Sequence, residues 1–318
     1  MSTALLKAEN LSTRIFLNAQ TLFPVNNLTF EITPKEILCI IGESGCGKTL
    51  SMLSLTNLLP KNARISSGKV MFQGAPLDLY NEKYLTGVRG AKISYIFQDP
   101  TAYLNPIFTI GEQIQEAIRF HSSLNTAESK KKVFELLDSV GLRPAQKYYA
   151  YFPHQLSGGM NQRAMIAMAI ASQPQLLIAD EPTSSLDRIT ELKILRLLLE
   201  LNKTLGLSII LITHNIAIVK GFAHRIAIMY AGSIIEEGTT DEILTGAQHP
   251  YTKALLACLP QKNNKNEPLK TIRGSVPDPS GVPQGCSFHP RCDMSKNQCL
   301  TDKLNYKQIS KTHFVRCC

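Results

Sequence analysis

A chain of 318 residues that is 44% hydrophobic and 19% charged has the composition of a folded globular protein, which excludes an intrinsically disordered chain. No stretch reaches the roughly 18 consecutive apolar residues of a membrane span, and the N-terminus lacks the apolar core of a signal peptide, so we expect a cytoplasmic protein. The formal net charge of +9 suits nucleic acid, an anionic membrane surface or an anionic small molecule, but the one basic run, 130–132, lies in a helical pattern and disfavours nucleic acid.

The first clear element along the chain is a strand followed by a glycine-rich turn and a helix. An apolar, β-branched segment at 36–41 predicts the strand, and a helical pattern over 48–58 follows the turn. Because helical stretches separate several of the later apolar runs, the pattern predicts an α/β fold with a buried, largely parallel sheet. The later predicted strands are 93–97, 176–179, 208–212 and 225–230.

The strand signals stop over residues 98–154. Helical patterns over 110–121 and 127–140 replace them, with Thr126 as the expected N-cap of the second helix and Gly141 as its C-terminal stop. The simplest interpretation is an all-helical insertion in the α/β fold.

The last part of the chain has a different character. A polar, lysine-rich stretch over 261–268 and a Pro- and Gly-dense stretch over 274–285 predict a linker. Five of the eight cysteines lie beyond residue 285. In a chain without a secretion signal, thiols are kept reduced, so these cysteines argue against a disulfide framework and need another explanation.

The glycine-rich turn matches the phosphate-binding loop pattern GxxxxGK[ST], in the strand-to-helix context where that loop occurs. Its backbone N–H groups can surround phosphate oxygens. Lys48 would reach the β- and γ-phosphates, and the Thr49 hydroxyl would ligate Mg²⁺. The alternative is a chance match, which we estimate for roughly one chain in a hundred of this length. The candidate phosphate-binding residues are Gly42, Glu43, Ser44, Gly45, Cys46, Gly47, Lys48 and Thr49.

A second candidate segment, 176–181, is an apolar strand that ends in two acids. Asp180 would hold Mg²⁺ through water, and Glu181 would polarise the attacking water. Alone, an acidic pair at the end of a strand is more often a turn or a helix cap. Together with the phosphate-binding loop, the catalytic interpretation is favoured.

A second turn rich in small residues precedes a helical run at 161–171. Its amide groups at a helix N-terminus form another potential anion site, although alone the turn reads as a flexible helix start. With two phosphate sites but one set of hydrolytic residues, two copies or two paralogues could trap ATP between the loop of one and this turn of the other. The turn consists of Ser157, Gly158, Gly159 and Met160.

Together with Gln98, residues 184–187 and His214, these motifs resemble the full ordered set of an ABC ATPase, over about residues 5–259. The resemblance implies an α/β fold with a P-loop NTPase core of the ABC ATPase type, an N-terminal antiparallel β subdomain and a helical subdomain insertion. It also implies that ATP binding closes a dimer of nucleotide-binding domains and that the closed dimer hydrolyses ATP.

The same resemblance implies roles for the remaining residues. Gln98 would join the core to the helical insertion and sense the γ-phosphate, His214 would contact the γ-phosphate, and Asp187 would cross the dimer interface. Glu181 would be the catalytic glutamate, acting with Lys48. The expected Mg²⁺ ligands are Thr49, Gln98 and Asp180.

Two positions need separate comment. Met160 stands where the signature of the family usually has glutamine, but the serine and glycines before it are intact, so we expect ATP trapping to survive. Phe16 lies at about the right distance upstream of the loop to stack on adenine. A phenylalanine of the core is the equal alternative.

Within the family, the chain looks most like dipeptide-permease ATPase subunits, through the stretches 151–155, 165–171 and 228–232. The tail supports this branch independently. His-Pro-Tyr-Thr at 249–252 and the segment 285–292 resemble the C-terminal extension of peptide and nickel importers.

Four thiolates of the tail could hold a 4Fe-4S cluster or a structural zinc. The resemblance implies an iron-sulfur cluster in some relatives, so a cluster ranks first, zinc second and unliganded thiols third. Cys317 is preferred over Cys318, because the ending from His313 matches that of the relatives. A small tail with little core gains stability from a metal, so its role would be structural. The predicted ligands are Cys286, Cys292, Cys299 and Cys317.

The resemblance implies an ATP-hydrolysing subunit of a dipeptide or oligopeptide importer, peripheral on the cytoplasmic face of the inner or plasma membrane. The implied partners are two transmembrane permease subunits, a second and paralogous ATPase, and an extracytoplasmic substrate-binding protein. Alternatives are an importer ATPase for nickel or cationic peptides, a soluble ABC ATPase acting on DNA or ribosomes, and a redox protein whose ATPase regulates its cluster. The presence of one cassette without a long coiled coil counts against the soluble ATPase.

The expected organisation has four parts. They are an N-terminal β subdomain with the P-loop core at 1–98, a helical subdomain with the signature at 99–159, the remainder of the ATPase core at 160–260, and a linker with a small metal-binding, cysteine-rich extension at 261–318.

Overall fold

The computed structural model describes residues 3–17, 20–259, 271–301 and 304–318. The strands in these ranges are β1 (Leu6–Leu17), β2 (Gln20–Ile32), β3 (Ile37–Ile41), β4 (Ala63–Phe72), β5 (Ala75–Pro76), β6 (Ile93–Ile96), β7 (Leu176–Asp180), β8 (Ser208–Thr213), β9 (Arg225–Tyr230), β10 (Ser233–Thr239), β11 (Lys307–Gln308) and β12 (Phe314–Val315). The helices are α1 (Lys48–Ser54), α2 (Glu82–Thr86), α3 (Pro100–Tyr103), α4 (Ile110–Phe120), α5 (Thr126–Ser139), α6 (Ala145–Tyr149), α7 (Gly158–Ala169), α8 (Arg188–Leu205), α9 (Thr240–Gly246), α10 (Pro250–Ala257) and α11 (Gln298–Thr301). None of these helices is both long enough and apolar enough to cross a membrane.

Two compact units make up the chain. One comprises the described residues of Met1–Thr33, Ile37–Leu79 and Ile212–Cys318, and the other comprises Pro34–Glu36 and Tyr80–Leu211. The first unit contains an antiparallel sheet with the strand order β2-β1-β4-β5. Buried and more exposed side chains alternate along much of β1, as expected for a strand with one face on the core. This sheet is the N-terminal antiparallel β subdomain that the family resemblance implied.

A second group of strands in the first unit supports the phosphate-binding turn. β3 pairs in parallel with β9, and β9 pairs antiparallel with β10. All five residues of β3 are buried, which requires the continuous apolar run seen in the sequence. α1 ends at Ser54 rather than at the predicted residue 58. The reason is local, because Asn57 has a φ of +52°, which a right-handed helix cannot continue through.

The second unit contains the predicted helical insertion. Between β6 and β7, which pair in parallel, every residue is described and none lies in a named strand. α5 begins at Thr126, but its N-cap is Asn125 and not the predicted Thr126. The Asn125 side chain accepts the N–H groups of Ala127 and Glu128, and the Glu128 carboxylate accepts the Asn125 N–H in return. Gly141, with a φ of +77°, follows the end of the helix as predicted.

The C-terminal residues pack within the first unit. β12 pairs with β10, and the buried carboxylate of Glu236 on β10 lies 2.8 Å from Nε2 of His313 and accepts the N–H of His249. Glu242 accepts hydroxyl hydrogen bonds from residues of the tail that include Ser310. Burial opposes ionisation of Glu242, but hydrogen bonds from Ser310, Thr239 and Thr312 lower its pKa to about 2. Paired and hydrogen-bonded carboxylates therefore attach the tail to β10 and α9.

Candidate functional site

The predicted phosphate-binding turn lies between β3 and α1 in the first unit. Gly47 is the N-cap of α1 with a φ of +98°, and a Cβ there would lie 2.0 Å from the carbonyl oxygen of Pro24. A Cβ at Gly42 would lie 2.3 Å from the carbonyl oxygen of Met229. Both positions therefore require glycine, because the backbone of the turn approaches neighbouring backbone too closely for a side chain.

Lys48 lies inside the turn. Its ammonium group donates hydrogen bonds to the carbonyl oxygens of Gly42 (2.8 Å) and Glu43 (2.9 Å), and the residue is 5% exposed. A cation in this position, at the start of a helix, favours a bound anion. Burial raises the pKa of the Cys46 thiol, so this side chain fills space as a neutral group. Thr49 is exposed in the first turn of α1.

Asp180 and Glu181 lie at the carboxyl end of β7 in the second unit. Ile96 of β6 is the register partner of Ala179 of β7, so Gln98, just beyond β6, leaves the strand pair at the same edge as the two acids. Glu181 has a φ of +43°. Left-handed backbone is uncommon in a residue with a side chain, so the residue predicted to be catalytic has an unusual backbone conformation.

The predicted signature turn forms the start of α7. Ser157 is the N-cap, and its hydroxyl accepts the N–H of Met160 at 3.4 Å. A Cβ at Gly159 would lie 2.6 Å from Cγ2 of Thr190, so this position requires a small residue. Ser157 and Gly158 are exposed. An exposed, amide-rich helix start is the arrangement needed for an anion site completed by a second molecule.

Asp187 caps the next long helix, α8. Its carboxylate accepts the N–H groups of Ile189 and Thr190, each at 3.0 Å, and the Thr190 hydroxyl at 2.6 Å. The hydroxyl bond and then the backbone bonds lower the pKa of Asp187. The structure therefore gives Asp187 a local capping role that the sequence analysis did not assign, in addition to the exposure that an interface residue requires.

The two remaining predicted residues are both exposed. His214 follows β8, and Phe16 lies on β1 with half of its surface exposed. Phe16 is therefore not a residue of the core, which was the alternative to adenine stacking. The first unit contains Phe16, the turn 42–49 and His214, and the second contains Gln98, the turn 157–160, Asp180, Glu181 and Asp187.

Two residues that the sequence analysis did not assign to the site contact the phosphate-binding turn. Arg291 donates to the carboxylate of Glu43, and the Tyr251 hydroxyl accepts the N–H of the same residue. Tyr251 lies in the stretch 249–252 and Arg291 in the stretch 285–292, which in the sequence indicated only a family resemblance. That resemblance is the sequence signal that pointed to these two residues.

Five cysteines line one cavity of about 150 Å³ in the first unit. Cys299 and Cys318 form a disulfide with Cα atoms 5.7 Å apart, so the expectation of reduced thiols is wrong for this pair. The expectation rested on the reducing conditions of the cytosol, whereas folding brings the two residues within bonding distance. In the described ranges no group of three or more His, Cys, Asp or Glu side chains is placed to hold a metal ion, so their arrangement does not support the predicted metal site. The five cysteines that line the cavity are Cys286, Cys292, Cys299, Cys317 and Cys318.

A glycine-rich turn that encloses a lysine between a buried strand and a helix, in a chain with acids at the end of a second buried strand, defines a P-loop nucleoside triphosphatase. Comparison with family models is more specific. The model of the ABC transporter family matches residues 25–184, and the model described as the C-terminal region of oligopeptide/dipeptide transporters matches residues 235–299. The chain belongs to the ABC transporter family.

Curated relatives match along nearly the whole chain. The oligopeptide transport ATP-binding protein AppD of Bacillus subtilis (strain 168) is 37% identical over 318 residues, which cover 100% of this chain and 97% of the relative. The dipeptide transport ATP-binding protein DppD of Escherichia coli (strain K12) is 39% identical over 314 residues, which cover 99% of this chain and 96% of the relative. The protein of the same name from Haemophilus influenzae is 42% identical over 297 residues, which cover 93% of this chain and 90% of the relative.

Solved structures show the same fold. The ATP-binding cassette MJ0796, determined as a dimer in a post-hydrolysis state with ADP and Pi, has a TM-score of 0.66 and 28% identity, with 74% of this chain and 98% of the cassette covered. CbiO1 from Clostridium perfringens, part of the ABC transporter complex cbiONQ, has a TM-score of 0.67 and 28% identity, with 76% of this chain and 91% of CbiO1 covered. The predicted ABC ATPase fold is confirmed, and the chain is an ATPase whose activity is coupled to transport.

Proposed function

We propose that this ATPase powers an importer of dipeptides or oligopeptides from the cytoplasmic face of the membrane. The observation that carries the proposal is that the chain with the phosphate-binding turn also contains the C-terminal region of oligopeptide/dipeptide transporters, at 235–299. The full-length relatives named for oligopeptide and dipeptide transport support the same cargo. Nickel or cationic peptides are the alternative cargo, because the specificity of such a system resides in its other subunits.

MgATP is the substrate in this proposal. Lys48 and the N–H groups of the turn bind the phosphates, and Thr49, Gln98 and Asp180 hold the Mg²⁺. Glu181 polarises the attacking water. The protein contributes mainly by positioning the reactants and by stabilising negative charge that develops on the phosphoryl group. The buried ammonium of Lys48 and the partly exposed acids at the carboxyl end of β7 are the features that support these assignments.

A second ATPase molecule, identical or paralogous, completes each site. It supplies the exposed helix start at 157–160 as a second phosphate-binding surface, and Asp187 crosses the interface between the two molecules. His214 contacts the γ-phosphate, and the exposed ring of Phe16 stacks on adenine. The other partners are two transmembrane permease subunits and an extracytoplasmic substrate-binding protein.

Co-purification from gently solubilised native membranes tests the importer assignment. We expect mass spectrometry to identify two hydrophobic permease subunits with this chain, together with a second ATPase and a peptide-binding protein. A nickel-binding protein in place of the peptide-binding protein would establish the alternative cargo. Recovery of ribosomal or DNA-repair proteins without a permease would contradict the proposal.

We also propose that the cysteine cavity holds a metal group, with a 4Fe-4S cluster ranked before zinc. Thiolates are the ligands that both groups take. His249 lines the same cavity, its Nδ1 accepts the N–H of Tyr251, and its buried Nε2 has no hydrogen-bond partner in the described ranges. Burial lowers the pKa of His249 to about 4, so at neutral pH Nε2 carries the proton and suits an acceptor such as sulfur in the cavity. Cys286, Cys292, Cys299 and Cys317 are the proposed ligands, and Cys299 can take this role only in protein whose disulfide to Cys318 has been reduced.

Anaerobic purification tests the metal proposal. We expect iron and inorganic sulfide in amounts equal to each other, about four of each per chain, and loss of both in Cys286→Ser and Cys292→Ser. Cys258→Ser is the matched control, because Cys258 lies at the end of α10 and does not line the cavity. Zinc without sulfide would select the second-ranked group, and absence of both metals from freshly purified protein would contradict the proposal.

A further inference from the structure

The side chain of Glu43, the second residue of the phosphate-binding turn, forms a bidentate ion pair with Arg291. Nη1 of Arg291 lies 2.9 Å from Oε1 of Glu43, and Nη2 lies 3.0 Å from Oε2. The Arg291 side chain is only 5% exposed. Parallel, charge-assisted hydrogen bonds of this kind fix both the position and the plane of the two groups. An ion pair between a P-loop and a residue 248 positions later is therefore a defined part of the fold.

Other contacts hold the Arg291 guanidinium in place. Its Nε donates to the carbonyl oxygen of Arg273 at 2.7 Å, Nη1 donates to the Tyr230 hydroxyl at 3.3 Å, and Nη2 donates to the carbonyl oxygen of Gly274 at 3.4 Å. Each of the three guanidinium nitrogens thus has an acceptor besides the carboxylate. The ion pair does not have to order a free arginine, because these contacts already fix the guanidinium.

Tyr251 holds the backbone of the same residue. Its hydroxyl accepts the Glu43 N–H at 3.0 Å, and the side chain is completely buried. The Tyr251 ring packs edge-on against Tyr230, with ring centroids 4.7 Å apart, and at a tilt against Phe288, with ring centroids 5.3 Å apart. The C-terminal region therefore holds Glu43 at both its main chain and its side chain.

Glu43 is connected to the groups that would face the phosphates. Its carbonyl oxygen accepts the Lys48 ammonium at 2.9 Å and the Cys46 N–H at 3.3 Å. A carboxylate at this position, if unpaired, would also repel an anion bound in the turn. Pairing with Arg291 neutralises that charge, so the same contact affects both the shape and the electrostatic potential of the turn.

We propose that Arg291 and Tyr251 are positioning residues for ATP binding, which hold Glu43 in place and neutralise its charge beside the phosphates. The inference rests on the proposed assignment of residues 42–49 to ATP. It gives the C-terminal region a function at the nucleotide site, separate from any metal in the cysteine cavity.

A comparison of a single and a double variant of the full-length protein tests the charge argument, with the dissociation constant of ATP measured by titration and KM and kcat measured in parallel. Arg291→Gln should raise the dissociation constant and KM about tenfold, because it leaves a carboxylate unpaired beside the phosphates, while kcat changes little. The double variant Glu43→Gln, Arg291→Gln should return the dissociation constant to within about threefold of wild type, since two amides can hydrogen-bond without charge. A purely structural role would make the double variant at least as weak as Arg291→Gln.

Matched variants control for general destabilisation. Arg316→Gln removes another arginine of the tail, and Tyr306→Phe removes a hydroxyl that donates to the carbonyl oxygen of Ile234. Both should bind ATP as wild type does, whereas Tyr251→Phe should weaken binding about fivefold, because it leaves the Glu43 N–H without its partner. Wild-type affinity in Arg291→Gln, or no recovery in the double variant, would overturn the inference. Failure of the wild-type protein to bind ATP would instead refute the proposed function itself.

Discussion

Glu181→Gln is expected to bind MgATP with nearly the affinity of the wild type but to hydrolyse it about 10²- to 10⁴-fold more slowly. Glutamine keeps the size of the side chain and its ability to hydrogen-bond, but it cannot accept a proton from the attacking water. The backbone at Glu181, with a φ of +43°, is already unusual, and glutamine tolerates it about as well as glutamate does. Steady-state phosphate release and ATP binding, measured on the same preparation, separate the two effects.

Glu200→Gln is the matched control for this variant. Glu200 is an exposed glutamate on α8, so the substitution should leave turnover and ATP affinity unchanged. Loss of a general base slows turnover by at least about 100-fold. If turnover by Glu181→Gln remains within about threefold of wild type, Glu181 does not have the proposed role. A loss of ATP affinity without a change in kcat would make Glu181 a binding residue instead.

Lys48→Ala is expected to weaken ATP binding by at least about 100-fold, because hydrogen bonds between charged groups contribute about 1.5–3 kcal/mol each and Lys48 would make more than one. The ammonium group is buried and is held within hydrogen-bond distance of two carbonyl oxygens of the turn. Its removal takes away the positive charge of the anion site as well as those contacts. Equilibrium titration with ATP at fixed ionic strength measures the loss.

Lys61→Ala removes an exposed lysine of the same unit and should bind ATP normally. Because Lys48 also holds the turn together, the thermal unfolding midpoint of each variant shows whether the protein is still folded when affinity is measured. Retained affinity in a folded Lys48→Ala protein would contradict the assignment of residues 42–49 to the phosphates.

Much of the site was predictable because its motifs are local. The turn at 42–49 is contiguous, and the glycines that it needs are required by the backbone itself, as positive φ at Gly47 and close approach at Gly42 show. The strands β3 and β7 were recognisable because strands buried on both faces need uninterrupted apolar runs. Asp180 is the last residue of β7, and Glu181 follows it directly.

Features that depend on small differences between neighbouring residues were harder to predict. Asn125 and Thr126 are both good N-caps, and the choice between them depends on which side chain meets the free N–H groups of α5. The role of Asp187 as a cap of α8 was missed for a related reason. A motif that signals an interface in the family also satisfies a local requirement of the helix.

By itself, the sequence determined the family of the chain, the phosphate-binding turn and the acids at the carboxyl end of β7, since each depends on residues that are adjacent along the chain. Tertiary structure alone decided that Cys299 bonds to Cys318, and that Arg291 and Tyr251 hold Glu43. These partners are far apart in sequence, and no local propensity favours one pairing over another. Their contacts form only when strand pairing and burial of the C-terminal region bring the groups within hydrogen-bond or covalent distance.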